Sequence, residues 1–304
     1  MKDVLLPSPV EYLGRSSIRS HQLYVKRDDL INQDYGGNKW RKLKYNIEYF
    51  KSSSHNCIIT FGGPFSNHIA SLASISKVHG IHCIGIIRGE FMDPENPTLK
   101  KAIEKGMRIH HVPKTEYRLK EESGVIQEII RQYDSPYIIP EGGANSLGSK
   151  GVEEIMTELH KQIPDVQYIV VPAGTGTTAT GIIEKAAPGQ KIYIINVLKH
   201  QGMSDLIASR ITNTRTDWQV IHDYHMGGFA KVKPQLVNFI NHFRRRYKIS
   251  LDPIYTGKMM YAVDDMMRKS YFSSGANIVA IHTGGLQGIT AYNYRQKQEK
   301  MLIA

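Results

Sequence analysis

The chain has 304 residues, of which 41% are hydrophobic and 22% charged. That composition excludes an intrinsically disordered chain, and the length is enough for two domains with real cores. The formal net charge is +11 and the pI is near 9.4, but the basic residues are scattered, which argues for a basic surface and against a nucleic-acid or anionic-membrane partner.

The opening MKDVLLPSPVEYL has no long apolar core of the signal-peptide kind. No apolar run approaches the length of a membrane span. A cytoplasmic protein is therefore expected. GGNKWRKLKY (36–45) comes next, and Trp40, Leu43, Ile47 and Phe50 fall on one helical stripe. A helix is expected from about Asn38. CIITFGG (57–63) reads as a strand leading into the helical SNHIASLASISKVHG. HCIGIIRG (82–89) reads as another, leading through a proline-bearing loop to NPTLKKAIEKG. Cys57 and Cys83 sit inside these apolar runs. They read as buried thiols, not as a disulfide or a redox pair. His110-His111 reads as a strand end. SPYIIPEGG (135–143), QYIVVPAGTGTT (167–178), KIYIINVL (191–198) and NIVAIHTGG (277–285) each read as a strand with a helix behind it. The densest basic run, Arg244-Arg245-Arg246 with Lys248, falls in a segment that reads as a solvated helix.

These strands are short, rich in Val and Ile, and nearly continuously apolar. That pattern marks strands covered on both faces, hence an α/β protein with mostly parallel sheets flanked by helices. Ligands of such folds bind at the carboxyl ends of the strands. Glycine turns stand there at 62–63, 142–143, 174–176 and 284–285. Four such turns on one crevice point to a small, phosphate-bearing ligand.

AGTGTTATG (173–181) is the clearest anion cradle. Gly174 and Gly176 let the backbone approach an anion closely. Thr175, Thr177 and Thr178 add hydroxyls, and a helix N-terminus follows. The same letters fit a dinucleotide fingerprint, but that reading needs an acid at the end of the next strand. Asn196, Leu198 and Lys199 stand there instead. No GK[ST] follows the glycines, which excludes a nucleoside-triphosphate loop. GGPFSNH (62–68) is a second candidate cradle. Ser66 and Asn67 are good helix caps, and the same groups can face a carboxylate or a ring oxygen. The 13 histidines form no HExxH and no Cys/His cluster, and His282 reads as a core histidine. No metal is expected.

Lys39 stands in the first turn of its helix, where a structural lysine is misplaced against the helix dipole. A free lysine has a pKa of about 10.4 and is no nucleophile when protonated. Arg41, Lys42, the helix N-terminus and desolvation are all expected to lower it. An activated lysine beside a phosphate cradle points to pyridoxal phosphate (PLP).

Six ordered motifs carry a resemblance: YVKRDDL with GGNKWRKLKY, GGPFSNH, IPEGGANSLG, PAGTGTT, DPIYTGKMMY and IHTGGLQG. They resemble the 1-aminocyclopropane-1-carboxylate (ACC) deaminase / D-cysteine desulfhydrase family over about residues 5–295. The resemblance implies a tryptophan synthase β-subunit-like PLP fold and a homodimer. It implies a large PLP-binding domain from 1–44 with 156–304, and a small inserted α/β domain at 45–155. Lys39 is similar to the Schiff-base lysine, which also takes the substrate α-proton. Lys42 and the 174–178 loop resemble the phosphate site, and Asn67 the residue that bonds the cofactor's ring oxygen. Ser66, Asn67 and His68 resemble the substrate-carboxylate cradle, and Ser66 is taken as catalytic with Lys39. Tyr255 is similar to the family's active-site tyrosine.

Thr256 and Thr283 stand where ACC deaminases carry glutamate and leucine. Both match the desulfhydrase side, with Thr256 beside the substrate and Thr283 at the cofactor's pyridine nitrogen. Two departures run the other way. Phe65 replaces the glutamine of GGxQSN, and Phe229 stands where a second tyrosine is usual. The expected function is PLP-dependent β-elimination on a small amino acid of D-cysteine type, giving a 2-oxo acid, ammonia and sulfide. The alternatives are ACC deamination, and a PLP-binding protein with little catalysis, which Phe65 and Phe229 favour.

Overall fold

The computed structural model describes residues 4–16, 19–90, 93–296 and 301–304. Strands β1 (Val10–Arg15) and β2 (Gln22–Arg27) form an antiparallel hairpin. Helix α1 (Gly37–Ser52) leads to β3 (Cys57–Gly62), α2 (Asn67–His79), β4 (Cys83–Arg88), α3 (Pro97–Glu104) and β5 (Arg108–Val112). Two short helices, α4 (Lys114–Leu119) and α5 (Gly124–Arg131), precede β6 (Pro136–Ile139) and the long α6 (Ser146–Gln162). Then come β7 (Tyr168–Ala173), α7 (Thr177–Lys185), β8 (Lys191–Asn196), α8 (Met203–Ala208) and β9 (Asp217–Ile221). The chain ends with α9 (Pro234–Tyr247), α10 (Thr256–Arg268), β10 (Asn277–His282) and α11 (Gln287–Arg295).

The strands make a six-stranded sheet, β1-β2-β10-β7-β8-β9, and a four-stranded sheet, β5-β4-β3-β6. Apart from the β1–β2 hairpin, every pairing is parallel. The alternation of side chains along a strand is plain in β3. Ile58 packs against α1 and α2, whereas Ile59 and Phe61 pack on the opposite face with Ile126 of α5. Both faces are covered, as continuous apolar strands require. Cys57 and Cys83 are buried free thiols on neighbouring strands. The Arg244–Arg246 run is exposed on α9.

Helix α1 joins the two sheets. Its stripe of Trp40, Leu43 and Ile47 belongs to the core of the four-stranded sheet. The opposite side of α1 faces α6, and there Arg41 is fully buried. Both boundaries of the expected inserted domain, 44/45 and 155/156, fall within these two helices.

Arg41 is held by a dense ionic cluster. Its Nε and Nη2 donate to the two carboxylate oxygens of Asp28, both at 2.8 Å. Its Nη1 and Nη2 donate to Glu158 of α6 at 3.0 and 2.9 Å. Lys26 of β2, also fully buried, donates to Glu158 at 2.6 Å, to the Ser8 carbonyl at 2.6 Å and to Gln162 at 2.8 Å. Two cations thus meet two carboxylates, and every strong donor finds an oxygen. Such a cluster need not exceed a well-packed apolar core in stability, but removing one partner leaves a buried charge unpaired.

Asp28→Ala should therefore cost on the order of 3–5 kcal/mol. The measure is the urea midpoint, read with the slope of the unfolding transition to check that the transition type is unchanged. A midpoint equal to that of the parent protein would show that Asp28 is not the counter-ion that holds α1.

Candidate active site

The amino end of α1 lies backbone-to-backbone against the turn that follows β10. The Asn38 amide donates to the Thr283 carbonyl at 3.1 Å. A Cβ on Gly37 would stand 2.6 Å from that carbonyl oxygen, and one on Gly284 would stand 2.5 Å from the Gly37 nitrogen. Only glycines permit this approach. It delivers Lys39 to the carboxyl edge of the six-stranded sheet.

A cavity of about 550 Å³ opens there between the two sheets, within the roughly 300–1,000 Å³ of small-molecule sites. All four glycine turns singled out in the sequence line it, through Gly63, Gly142, Gly174, Gly176, Gly284 and Gly285. Lys39, Lys42, Phe65, Ser66, Asn67, His68, Thr175, Thr178, Phe229, Tyr255 and Thr283 line it as well. Thr177 and Thr256 are not in the lining. The Thr177 hydroxyl bonds that of Thr175 at 3.2 Å. The Asp252 carboxylate accepts from the amides of Tyr255 and Thr256 at the start of α10, and Thr256 is turned toward it, away from the cavity. Its hydroxyl donates to Asp252 at 2.8 Å and accepts from the Asp252 amide at 2.9 Å.

Lys39 keeps some surface open to the cavity, yet protein encloses it. Burial lowers its ammonium to about 8, against the opposing pull of a Lys42 hydrogen bond and of Glu141 and Asp252. Lys42 is lowered further, well below its ordinary value, first by burial and then by Lys39 and Arg210. Arg41 does not share in this. Residues two apart on a helix point to different sides, and Arg41 is spent on Asp28 and Glu158.

The 174–178 loop presents the open amino end of α7, whose N-cap is Gly176 with no capping side chain. A Cβ on Gly174 would meet the Tyr255 ring at 3.0 Å, so glycine lets the tyrosine lie against the loop. Burial raises the Tyr255 hydroxyl well above its ordinary range, and it stays protonated. The Phe229 ring meets that of Tyr255 edge-on at 6.2 Å. Ser66 caps α2, with its oxygen accepting from Ile69 at 3.3 Å. No acceptor takes its own proton among the described residues.

His68 departs from the carboxylate-cradle reading. Its Nε2 lies 2.9 Å from the Thr60 hydroxyl. That hydroxyl gives its one proton to the Ile139 carbonyl at 2.7 Å. His68 Nε2 must therefore be the donor, which leaves Nδ1 a bare, buried lone pair. Burial, then Lys39 and Lys42, push its pKa well below the usual histidine range, so it is neutral.

Several site residues were not read from the sequence. Asn38 donates to the Thr178 hydroxyl at 2.9 Å and ties α1 to the anion loop. Lys258 of α10 donates to the carbonyls of His225 and Gly228, both at 2.9 Å, and so pins the loop bearing Phe229. Gln287 reaches Asn67 at 2.6 Å. The one signal available was a polar residue where the surrounding pattern was apolar or glycine-rich. Among the described residues, no group of three or more His, Cys, Asp or Glu could hold a metal ion. No helix among them is long and apolar enough to cross a membrane.

Over residues 2–284 the sequence matches the family described as pyridoxal-phosphate dependent enzyme. A D-cysteine desulfhydrase of Salmonella newport is 27% identical over 312 residues, which cover 94% of this chain and 94% of the relative. A Pyrococcus abyssi protein provisionally named 1-aminocyclopropane-1-carboxylate deaminase is 29% identical over 313 residues, 97% of this chain and 94% of its own. A solved structure described as an ACC deaminase homologue superposes with a TM-score of 0.84 at 28% identity, covering 99% of this chain and 95% of that one.

The residues present fit pyridoxal phosphate. Two enclosed amines, Lys39 and Lys42, have no carboxylate within ion-pair distance among the described residues, unlike Lys26 and Arg41. An open helix N-terminus faces the same space. A dianionic phosphate is the missing counter-charge. Asn67 and Thr283 would offer polar groups to the cofactor's ring, and Lys39 an amine to its carbonyl.

In the cofactor-free protein, Lys39 should be protonated below about pH 8 and a free amine above it. Acetylation of Lys39, followed by mass spectrometry across pH, should rise with a midpoint near 8. A midpoint at the ordinary value of about 10.4 would show that the cavity does not desolvate this lysine.

Proposed function

Because this chain belongs to the family of pyridoxal-phosphate dependent enzymes, with ACC deaminase- and D-cysteine desulfhydrase-like relatives, we infer that it β-eliminates a small amino acid of D-cysteine type. With D-cysteine and one water, the products are a 2-oxo acid, ammonia and hydrogen sulfide. When bound, the cofactor supplies a ring that withdraws electrons from the amino acid's α-carbon.

On this reading Lys39 holds the cofactor and, once released by the incoming amine, takes the α-proton. Its lowered pKa of about 8 puts a usable fraction of free amine near neutral pH. Lys42 and the amino end of α7 neutralise the phosphate. The Ser66 hydroxyl and the backbone amides that open α2 hold the substrate carboxylate, with Asn67 at the ring oxygen. Tyr255, kept protonated by burial, donates toward the substrate.

The observation that carries the choice of substrate is the set of acids in the cavity wall. Among the described residues its one carboxylate is Glu141, which is already bonded to Lys120 at 2.7 Å. Thr283 lines the wall with its hydroxyl unspent among the described residues. A hydroxyl does not protonate the pyridine nitrogen, so the ring is a weak electron sink. Prompt loss of a β-substituent suits a weak sink. Opening a cyclopropane, which has no leaving group, does not.

Two phenyl rings favour a second reading, a cofactor-binding protein with little turnover. Phe65 and Phe229 stand in the cavity lining in place of polar groups. The test is 2-oxo acid release by the PLP-loaded protein from D-cysteine, L-cysteine, β-chloro-D-alanine, D-serine and ACC. D-Cysteine should be turned over, D-serine slowly if at all, and ACC not. Turnover of ACC, or of none of the five, would reject the desulfhydrase reading. Lys39→Ala should abolish both turnover and the visible absorbance of the loaded protein. Thr283→Asp, which puts a carboxylate where the threonine hydroxyl stands, should move the ACC to D-cysteine ratio of kcat/KM upward by about tenfold or more, ~1.4 kcal/mol in relative barrier.

A further inference from the structure

Asn67 is useful to a cofactor's ring oxygen only if its NH2 faces the ring. If the amide is turned over, it presents an oxygen to an oxygen. The side chain alone has no preference, so something must hold it. The structure contains a chain of hydrogen bonds that fixes the orientation, and it starts from an atom whose role is not in doubt.

That atom is the carbonyl oxygen of Phe65, which can only accept. Gln287 places its side-chain nitrogen 3.1 Å from it. The amide of Gln287 is thereby oriented, with Nε2 toward Phe65 and Oε1 away. Oε1 then accepts from the Thr98 hydroxyl at 2.7 Å. The same Nε2 lies 2.6 Å from Asn67 Oδ1. A donor there requires Asn67 to present oxygen, so Nδ2 is forced to the other side. Nδ2 lies over the glycine turn after β10, where a Cβ on Gly285 would stand 2.6 Å from it. Asn67 and Gly285 both line the cavity; Gln287 is not among the lining residues.

We propose that Gln287 is a positioning residue that locks Asn67 with its NH2 toward the cavity, so that it donates to the ring oxygen of bound pyridoxal phosphate. The proposal rests on the cofactor reading of Asn67 given above. It also gives Phe65 a context. Where relatives carry a glutamine beside the Ser-Asn pair, this chain has a phenylalanine, and Gln287 brings an amide to the same corner from α11. The lock spans the cleft, since Thr98 stands on α3, Asn67 on α2 and Gln287 on α11.

The experiment compares Gln287→Leu and Gln287→Glu with the parent. The readouts are the PLP dissociation constant and the pH midpoint of the visible absorbance of the loaded protein. Leucine removes the lock and lets Asn67 turn freely. Glutamate has nearly the same shape and keeps an acceptor for Thr98, but it cannot donate when ionised. It therefore attracts the NH2 of Asn67 and turns the wrong atom to the ring. Gln287→Glu should weaken PLP binding by roughly tenfold or more and shift the midpoint. Gln287→Leu should do less of both. A purely structural role predicts the reverse order, because glutamate conserves more packing than leucine, and that order would overturn the proposal. In an Asn67→Ala background the Glu and Leu variants should bind PLP equally. A persisting difference there would equally overturn it. Melting of the cofactor-free variants shows whether each one folds. If the parent has no visible absorbance with PLP, the cofactor reading itself fails. If Lys39→Ala loses that absorbance while both Gln287 variants keep parental affinity and midpoint, only the lock fails.

Discussion

The site depends on one close backbone contact. The amino end of α1 rests on the turn after β10, with the Asn38 amide on the Thr283 carbonyl at 3.1 Å and glycines on both sides of the approach. That contact satisfies one of the amides a helix leaves unpaired at its start. It also carries Lys39 to the edge of a sheet to which its own helix does not otherwise belong, since the apolar stripe of α1 packs on the other sheet. The ionic cluster around Arg41 holds α1 from behind. Lys39 is thus set between two layers by a backbone bond in front and a neutralised charge cluster at its back.

Four enclosed cations, Lys26, Arg41, Lys39 and Lys42, divide into two kinds, and the division separates scaffold from site. Lys26 and Arg41 are matched by Glu158 and Asp28 within 3.0 Å. Lys39 and Lys42 have no such partner among the described residues, and both are pulled below the ordinary lysine range. A charge left unmatched in a low-dielectric place is costly unless a ligand supplies the match. The same contrast applies to His68. Its Nε2–H is satisfied by Thr60, whereas its buried Nδ1 has no partner among the described residues. The protein stores an electrostatic deficit that an anionic cofactor would fill.

Much of this was legible in the sequence, and the rest fails for identifiable reasons. Six strands announced themselves as apolar runs, because both their faces are covered. Strands β1, β2, β5 and β9 did not, because VEYLGR, QLYVKR, RIHHV and DWQVI carry charged or polar residues. Three of these are sheet edges. β2 is interior, but its Lys26 is matched by Glu158, 132 residues along the chain, which no local pattern reveals, and its Arg27 is held by Asp29 and Glu11. The stripe of α1 was readable, and so was the convergence of the four glycine turns. The electrostatic role given to Arg41 was not sound, since i and i+2 diverge around a helix while i and i+3, Lys39 and Lys42, do not. Thr256 looked like a pocket residue from its place beside Tyr255. Only the bonds between its hydroxyl and Asp252 show that it turns inward. Gln287 could not have been found, because its partners are some 190 to 220 residues away, with separations of 189, 220 and 222.

The loss of polar groups at Phe65 and Phe229 bears on which bond such a site can break. β-Elimination removes one proton from the α-carbon and sends a leaving group off with an electron pair. From D-cysteine the leaving group is hydrosulfide, a sulfur anion no more basic than a thiolate, whose conjugate acid has a pKa of about 8.5, and it departs with little help. Hydroxide is the conjugate base of water, whose pKa is about 15.7, and needs a proton delivered as it leaves. Phe229 stands edge-on to Tyr255 at 6.2 Å, where a second hydroxyl would have been a donor. Its ring adds apolar surface and no proton. The Tyr255 hydroxyl is itself raised by burial and is a reluctant acid. With Thr283 at the pyridine nitrogen, as proposed, a weak electron sink and a wall poor in acids would place the same demand on the substrate: it must carry a leaving group that is stable as an anion. On the proposed reading, the phenylalanines narrow the reaction toward sulfur and away from oxygen without removing the base that begins it.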